Sequence, residues 1–184
     1  MELPNKRYKL ILADPPWEQE TIGSFKTRPN RPTIPYSTMS LQDISNLPIN
    51  DLADEGCHLW LWTTNSYLHE AFHVMDTWGF KYLNTITWVK KSGIGAWFVN
   101  TTQHILFGYN GKCVFNNAKY KPTHIITAPP EKHSQKPRIF YELFETISDT
   151  PRLELFAREK REGWDAWGNQ VPKHCQKLLT KEDA

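Results

Sequence analysis

The chain is poor in cysteine. Cys57, Cys113 and Cys175 lie far apart, and none forms the C-x-x-C pair of a zinc ribbon. That usage fits a reducing cytoplasm. Long apolar runs are missing too, so no segment approaches the length of a membrane span. The opening residues, Met1-Glu2-Leu3-Pro4-Asn5-Lys6, lack the form of a signal peptide. There is no repeat and no low-complexity tract. An excess of one charge is absent as well: the formal net charge is +2. Any nucleic-acid contact must therefore come from local basic patches rather than a global field. Aromatic side chains are plentiful, 13% of residues with eight Trp. They suit stacking surfaces, although most Trp in a small domain serve its core. With 184 residues the sequence reads as a single domain, 1–184, with a core at about 8–171 and a tail at 172–184.

Strands are expected at Tyr8–Asp14, Cys57–Thr63, Leu83–Val89, His104–Tyr109 and Leu153–Ala157. Their runs of large apolar residues fit a sheet covered on both faces. A helix over Ser66–Trp78 puts Leu68, Phe72 and Met75 on one stripe. A second, over Pro137–Ser148, aligns Ile139, Phe140, Leu143, Phe144 and Ile147, with Pro137 in the first turn and Ser134 as a cap upstream. A short helix over Leu41–Leu47 has Thr38 or Ser40 as its cap. Strands alternating with helices predict an α/β fold with a largely parallel sheet.

The first strand runs into Asp14-Pro15-Pro16-Trp17. That arrangement suits methylation of an exocyclic amino group. The amino nitrogen of adenine is a poor nucleophile because its lone pair is delocalised into the ring. Two acceptors aimed at its N–H groups favour a pyramidal nitrogen with a localised lone pair. The Asp14 carboxylate and the Pro15 carbonyl are those acceptors, and the prolines hold the backbone that presents them. Trp17 is expected to offer a flat face for an extruded base. Taken alone, Asp-Pro-Pro also serves as an ordinary strand terminator.

Three segments read as irregular loops: Glu18–Pro35 with Lys26, Arg28 and Arg31; Lys90–Asn100 with Lys90, Lys91 and Trp97; and Lys112–Pro122. The first two are expected to wall a cleft around Asp14, since sites in open α/β sheets gather at the carboxyl ends of strands. Their cations also read as plain solvated loop charge. His69-Glu70-Ala71-Phe72-His73 is a literal H-E-x-x-H and would suit a zinc hydrolase. Against that, Asp76 stands where the extended pattern needs Gly, and no third ligand follows at a known spacing. The expected metal set is therefore none.

With these residues in view, the chain resembles the MT-A-seventy family of adenine N6-methyltransferases, its compact bacterial and phage members most of all. The matching segments run in family order. They are Ala13–Trp17, Pro35–Met39, Leu59–Asn65, Ile86–Lys90, Gln103–Gly108, His133–Pro137, Glu154–Arg158 and Gly163–Gln170. The resemblance implies a Rossmann-like methyltransferase fold, circularly permuted so that the catalytic motif precedes the cofactor motif. It implies S-adenosylmethionine as methyl donor and in-line transfer without a covalent enzyme intermediate.

By the same resemblance, Asp14, Pro15, Pro16 and Trp17 are catalytic. Lys136 matches the position that pairs with the cofactor's carboxylate. Glu154, Phe156, Arg158, Asn169 and Gln170 match positions around the cofactor, chiefly its ribose. Tyr36 matches a position beside the acceptor base. Lys26, Arg28, Arg31, Lys90 and Gln103 complete the expected substrate contacts. Gln103 stands where the family often has Glu, and Glu154–Arg158 stands in place of the common Gly-rich cofactor loop. Nothing upstream of Asp14 matches the acidic residue that reads the cofactor's adenine in longer members. DNA is the implied polymer, with RNA the alternative. A non-catalytic subunit is a further reading, although such members have lost the Asp-Pro-Pro-aromatic motif retained here. A homodimer or a partner subunit stays open, and the cytoplasm of a bacterial or phage-infected cell is the expected setting.

Overall fold

The computed structural model describes residues 3–18, 37–94, 97–117, 119, 122–129 and 136–169. Its strands are β1 (Tyr8–Ala13), β2 (Ala53–Thr63), β3 (Lys81–Ile94), β4 (Asn100–Tyr109), β5 (Ile125–Thr127), β6 (Arg152–Leu155) and β7 (Asp165–Trp167). Its α-helices are α1 (Leu41–Ser45), α2 (Ile49–Leu52), α3 (Leu68–Thr77) and α4 (Arg138–Ile147). The expected α/β class holds, in one seven-stranded sheet ordered β5-β3-β4-β2-β1-β6-β7. The pairs β1–β2, β1–β6, β3–β5 and β6–β7 are parallel, while β4 runs antiparallel to both β2 and β3.

Alternation along the strands divides the core into two layers. On one face Ile11, Leu59 and Leu61 pack with Ile44, Ile49, Ala71, Val74 and Met75 of α1, α2 and α3. On the other face Leu10, Leu12, Trp60 and Trp62 meet Phe140, Leu143, Phe144 and Ile147 of α4. The aromatics interlock there. Trp60 stacks on Phe144 at 4.5 Å, and Trp62 meets Phe140 edge-on at 5.0 Å between ring centroids. Ser40 caps α1 by accepting the Asp43 N–H at 3.1 Å.

Two expectations need correction. The segment 90–100 is not a loop throughout: β3 continues to Ile94 and pairs back with Asn100, where β4 begins. Lys90, Lys91, Ser92 and Gly93 mimic a loop because this stretch of β3 buries little surface and its pairing shifts register. Pro137 is the N-cap residue of α4 and makes no side-chain cap bond, so the first helical turn begins at Arg138. Ser134 and the expected tail 172–184 lie outside the described residues.

Candidate active site

β1, β2 and β6 run parallel, and the chain passes from β1 to β2 on one side while β6 lies on the other. Their carboxyl ends therefore open on one edge, at the switch in strand order where α/β sites form. Asp14 leaves β1 at that edge. Its Oδ2 lies 2.9 Å from Lys136 Nζ, with the two side chains 33% and 13% exposed. Lys136, two residues before α4, also donates to Gln103 Oε1 at 3.4 Å. Its ammonium sits 4.6 Å from the centroid of the Trp62 ring. Burial, and next the charge of Lys136, lower the pKa of Lys90, which places both cations in one field. Asp14, Lys136 and Gln103, separate in the sequence, thus form one cluster.

The Asp-Pro-Pro-Trp turn is pinned by backbone bonds. The Pro15 carbonyl accepts the Trp17 N–H at 2.8 Å, and the Pro16 carbonyl accepts the Met39 N–H at 2.9 Å. Pro15 keeps a second lone pair for another donor. Trp17 differs from expectation. It is 7% exposed, donates from Nε1 to the Trp62 carbonyl at 3.1 Å, and stacks on Tyr67 at 5.3 Å. An indole with an apolar body and one polar handle satisfies both needs inside the core. Its face is covered, so Trp17 anchors the turn and presents no open platform.

Glu154 lies beside Leu12 in the β1–β6 register. Its Oε1 accepts the Tyr141 hydroxyl at 2.8 Å. Burial pushes its carboxyl up to about 7, and the Asp14 charge adds to that rise, while the Tyr141 bond and Arg161 oppose it. Burial, then the Glu154 charge, raise the Tyr141 hydroxyl's pKa in turn. The Arg161 guanidinium carbon lies 3.7 Å from the Tyr141 ring centroid.

Beyond β6 the chain turns sharply at Phe156, whose φ is +61°. A positive φ in a bulky residue is strained and must be held by its surroundings. The Phe156 ring meets Trp167 edge-on at 5.6 Å, and the Ala157 N–H donates to the Trp167 carbonyl at 3.0 Å. Gly168 packs against that turn so tightly that a Cβ would meet the Ala157 carbonyl oxygen at 2.1 Å. Asn169 is exposed and donates to Ser37 Oγ at 3.4 Å; Arg158 is also exposed. Glu154, Phe156, Arg158 and Asn169 therefore come together along the ends of β6 and β7. Lys26, Arg28, Arg31, Tyr36 and Gln170 lie outside the described residues.

Sequence reasoning missed Trp62, Tyr141 and Arg161 as neighbours of this cluster. Trp62 stands in the Leu59–Asn65 segment, but periodicity assigns it only to a core strand. It also missed a fixed chain of polar groups at the same edge. Asn65 Nδ2 donates to Thr102 Oγ1 at 2.9 Å, and its Oδ1 faces His104 Nε2 at 3.0 Å. His104 Nδ1 faces Thr87 Oγ1 at 3.1 Å. Burial lowers the His104 pKa, and with Asn65 so oriented its Oδ1 accepts from Nε2.

His69 and His73 face solvent on α3. No group of three or more His, Cys, Asp or Glu among the described residues is placed to hold a metal ion. No described helix is long and apolar enough to cross a membrane.

Residues 8–170 match the model of the MT-A70 (MT-A-seventy) family. The chain is 27% identical to the type II methyltransferase M.MunI of a Mycoplasma species, over 98% of this chain and 84% of that protein. It is 30% identical to the human N(6)-adenine-specific methyltransferase METTL4, over 91% of this chain and 38% of that protein. To the human N(6)-adenosine-methyltransferase catalytic subunit METTL3 it is 27% identical, over 90% of this chain and 28% of that protein.

Proposed function

This chain belongs to the MT-A70 family, and from that premise we propose that it transfers a methyl group from S-adenosylmethionine to the N6 amino group of adenine in DNA. The observation that carries the reading is the Asp14 carboxylate, one-third exposed at the mouth of the sheet and held by Lys136 at 2.9 Å. Asp14 and the Pro15 carbonyl accept the two amino hydrogens. Pro16 and the buried Trp17 keep those acceptors rigid, so catalysis is mostly positioning and preorganised electrostatics.

The donor set fits a zwitterionic nucleoside. Lys136 is a cation for a carboxylate, while Glu154, Arg158, Asn169 and Gln170 supply partners for ribose hydroxyls. Phe156 gives that ligand an apolar neighbour. When bound, S-adenosylmethionine supplies an electrophilic methyl group on a sulfonium centre. The order of the chain, with Asp14 after the first strand and Glu154 in the sixth, supports the permuted arrangement expected of the family. Gln103, which accepts from Lys136, and Lys90 border the acceptor base. Tyr36, Lys26, Arg28 and Arg31 are proposed to complete that contact from the segment before Ser37.

The match over most of the length of M.MunI and the likeness to compact bacterial and phage members support DNA as polymer. The cytoplasm is the proposed setting, with one domain built on about residues 8–171. The test is transfer of labelled methyl from S-adenosylmethionine to mixed-sequence DNA and RNA, single- and double-stranded, with nucleosides identified by mass spectrometry. N6-methyladenine in DNA is the expected product. Methylation confined to RNA would overturn the polymer, and cofactor binding without transfer to any polymer would favour a subunit that needs a partner.

A further inference from the structure

Among the described residues, eight large hydrophobic side chains stand in the open, and three of them are consecutive. Trp97, Phe98 and Val99 are 86%, 83% and 64% exposed. They lie in the connection between β3 and β4, which run on together past the rest of the sheet. β2 accompanies β4 only as far as the Thr63–His104 pair, and β5 accompanies β3 only as far as the Val89–Thr127 pair. The ribbon itself continues through Val89–Thr102 to Ile94–Asn100. Between those two pairs β3 uses five residues against two on β4, a register shift, so at roughly 3.3 Å per strand residue the pairing advances about 7 Å beyond its neighbours.

The ribbon passes the edge that carries Asp14. Thr63 ends β2 at that edge, and Gln103, which accepts from Lys136, sits at the root of the ribbon. Gly93 closes the pair. A Cβ there would meet the Asn100 carbonyl oxygen at 2.1 Å, so the two backbones approach more closely than any other residue allows. Lys90 and Lys91 flank the ribbon on the approach to the tip. The feature is a finger with an apolar, aromatic end and a basic base, planted beside the candidate active site.

An apolar tip this exposed needs a partner. Two observations favour a nucleic acid. The cations at its base suit phosphates, and the finger rises from the edge where the target base must arrive. An adenine inside a duplex has to leave the stack before Asp14 can reach its amino group, and its departure leaves a gap. Apolar side chains that enter between base steps hold such a distortion open. We propose that Trp97 and Phe98 form a wedge that enters duplex DNA beside the target and occupies the stack when the adenine turns out toward Asp14. The proposal rests on the reading that the substrate is adenine in a nucleic acid.

The test uses full-length wild type and the W97S/F98S double variant with mixed-sequence duplex DNA and its separated single strands. Affinity is read by fluorescence anisotropy, methylation by labelled cofactor, and oligomeric state by light scattering. Both side chains are exposed, so a matching melting temperature is the control for folding. The expected result is a loss of about tenfold or more on the duplex, in affinity and rate, against less than about twofold on single strands. An unpaired adenine needs no wedge. Equal losses on both substrates, no loss, or a wild type that does not bind duplex would overturn the proposal. A wild-type dimer that the double variant converts to monomer, without selective loss on duplex, would assign the tip to a second copy of the chain and overturn it equally. Duplex-selective loss of binding in a protein that methylates nothing would leave the wedge standing and defeat the chemistry instead.

Discussion

The ammonium of Lys136 lies 2.9 Å from the carboxylate of Asp14, so the cation assigned to the cofactor and the acceptor assigned to the base form one ion pair. The pair has consequences for both partners. A carboxylate-bearing cofactor must compete with Asp14 for Lys136, or share it. Lys136→Met keeps most of the side-chain volume over Trp62 and removes the charge. The expected outcome is a cofactor dissociation constant weakened about tenfold or more, as for loss of a charged hydrogen bond. Isothermal titration with S-adenosylmethionine reads this directly, and an unchanged constant would remove Lys136 from the cofactor site.

Glu154 makes stability depend on pH in an uncommon direction for a carboxylate. Below its ordinary value of 4.5 the group is neutral in both folded and unfolded chains. Between 4.5 and about 7 the unfolded chain ionises while burial keeps the folded one protonated, so stability falls as pH rises through that window. Glu154→Gln removes the titration and keeps an oxygen to accept the Tyr141 hydroxyl. The variant should melt higher than wild type at about pH 8.5 and show little gain at about pH 4.5. Equal shifts at both pH values would contradict the assignment.

Trp17 is expected to act on stability first. Trp17→Ala removes a 7%-exposed indole and the bond to the Trp62 carbonyl, and should cost about 3–5 kcal/mol in urea denaturation. Trp17→Phe keeps the stack on Tyr67 and strands one buried carbonyl, for about 1–3 kcal/mol. A Trp17→Ala protein with wild-type stability and lost activity would restore the open stacking platform.

Gly168 tests the strained turn at Phe156. Gly168→Ala places a Cβ against the Ala157 carbonyl, where the free space is 2.1 Å. Displacing that turn should destabilise the protein by about 1–3 kcal/mol and weaken cofactor binding, because Phe156 and Arg158 move with it. Unaltered stability and affinity would show that the turn is pliant.

Much of this was legible in the sequence, for definable reasons. β1 and the Cys57–Thr63 part of β2 carry apolar runs, α4 an apolar stripe, and Thr38 and Ser40 the chemistry of a cap, so their positions followed from pattern alone. β5 and β7, each three residues long, carry too few residues for a period and owe their existence to neighbouring strands. The ribbon beyond Val89 was hidden because lysines and glycine mimic a loop where little surface is buried. At the site, residue types pointed to Asp14 and Lys136 separately. Their contact depends on α4 folding back across β2, which no local spacing encodes. Trp17 was misjudged because an indole reads identically as a platform or a core anchor until its neighbour Tyr67 is placed.

Asp14 carries the central claim, and one comparison tests it most directly: single-turnover methylation of DNA by wild type and Asp14→Asn, with cofactor affinity measured on the same preparations. The amide keeps the shape, loses the charge and frees Lys136 from its ion pair. The account predicts a rate lower by about a hundredfold or more, with cofactor affinity no weaker than that of wild type. Methylation near the wild-type rate by Asp14→Asn would contradict it.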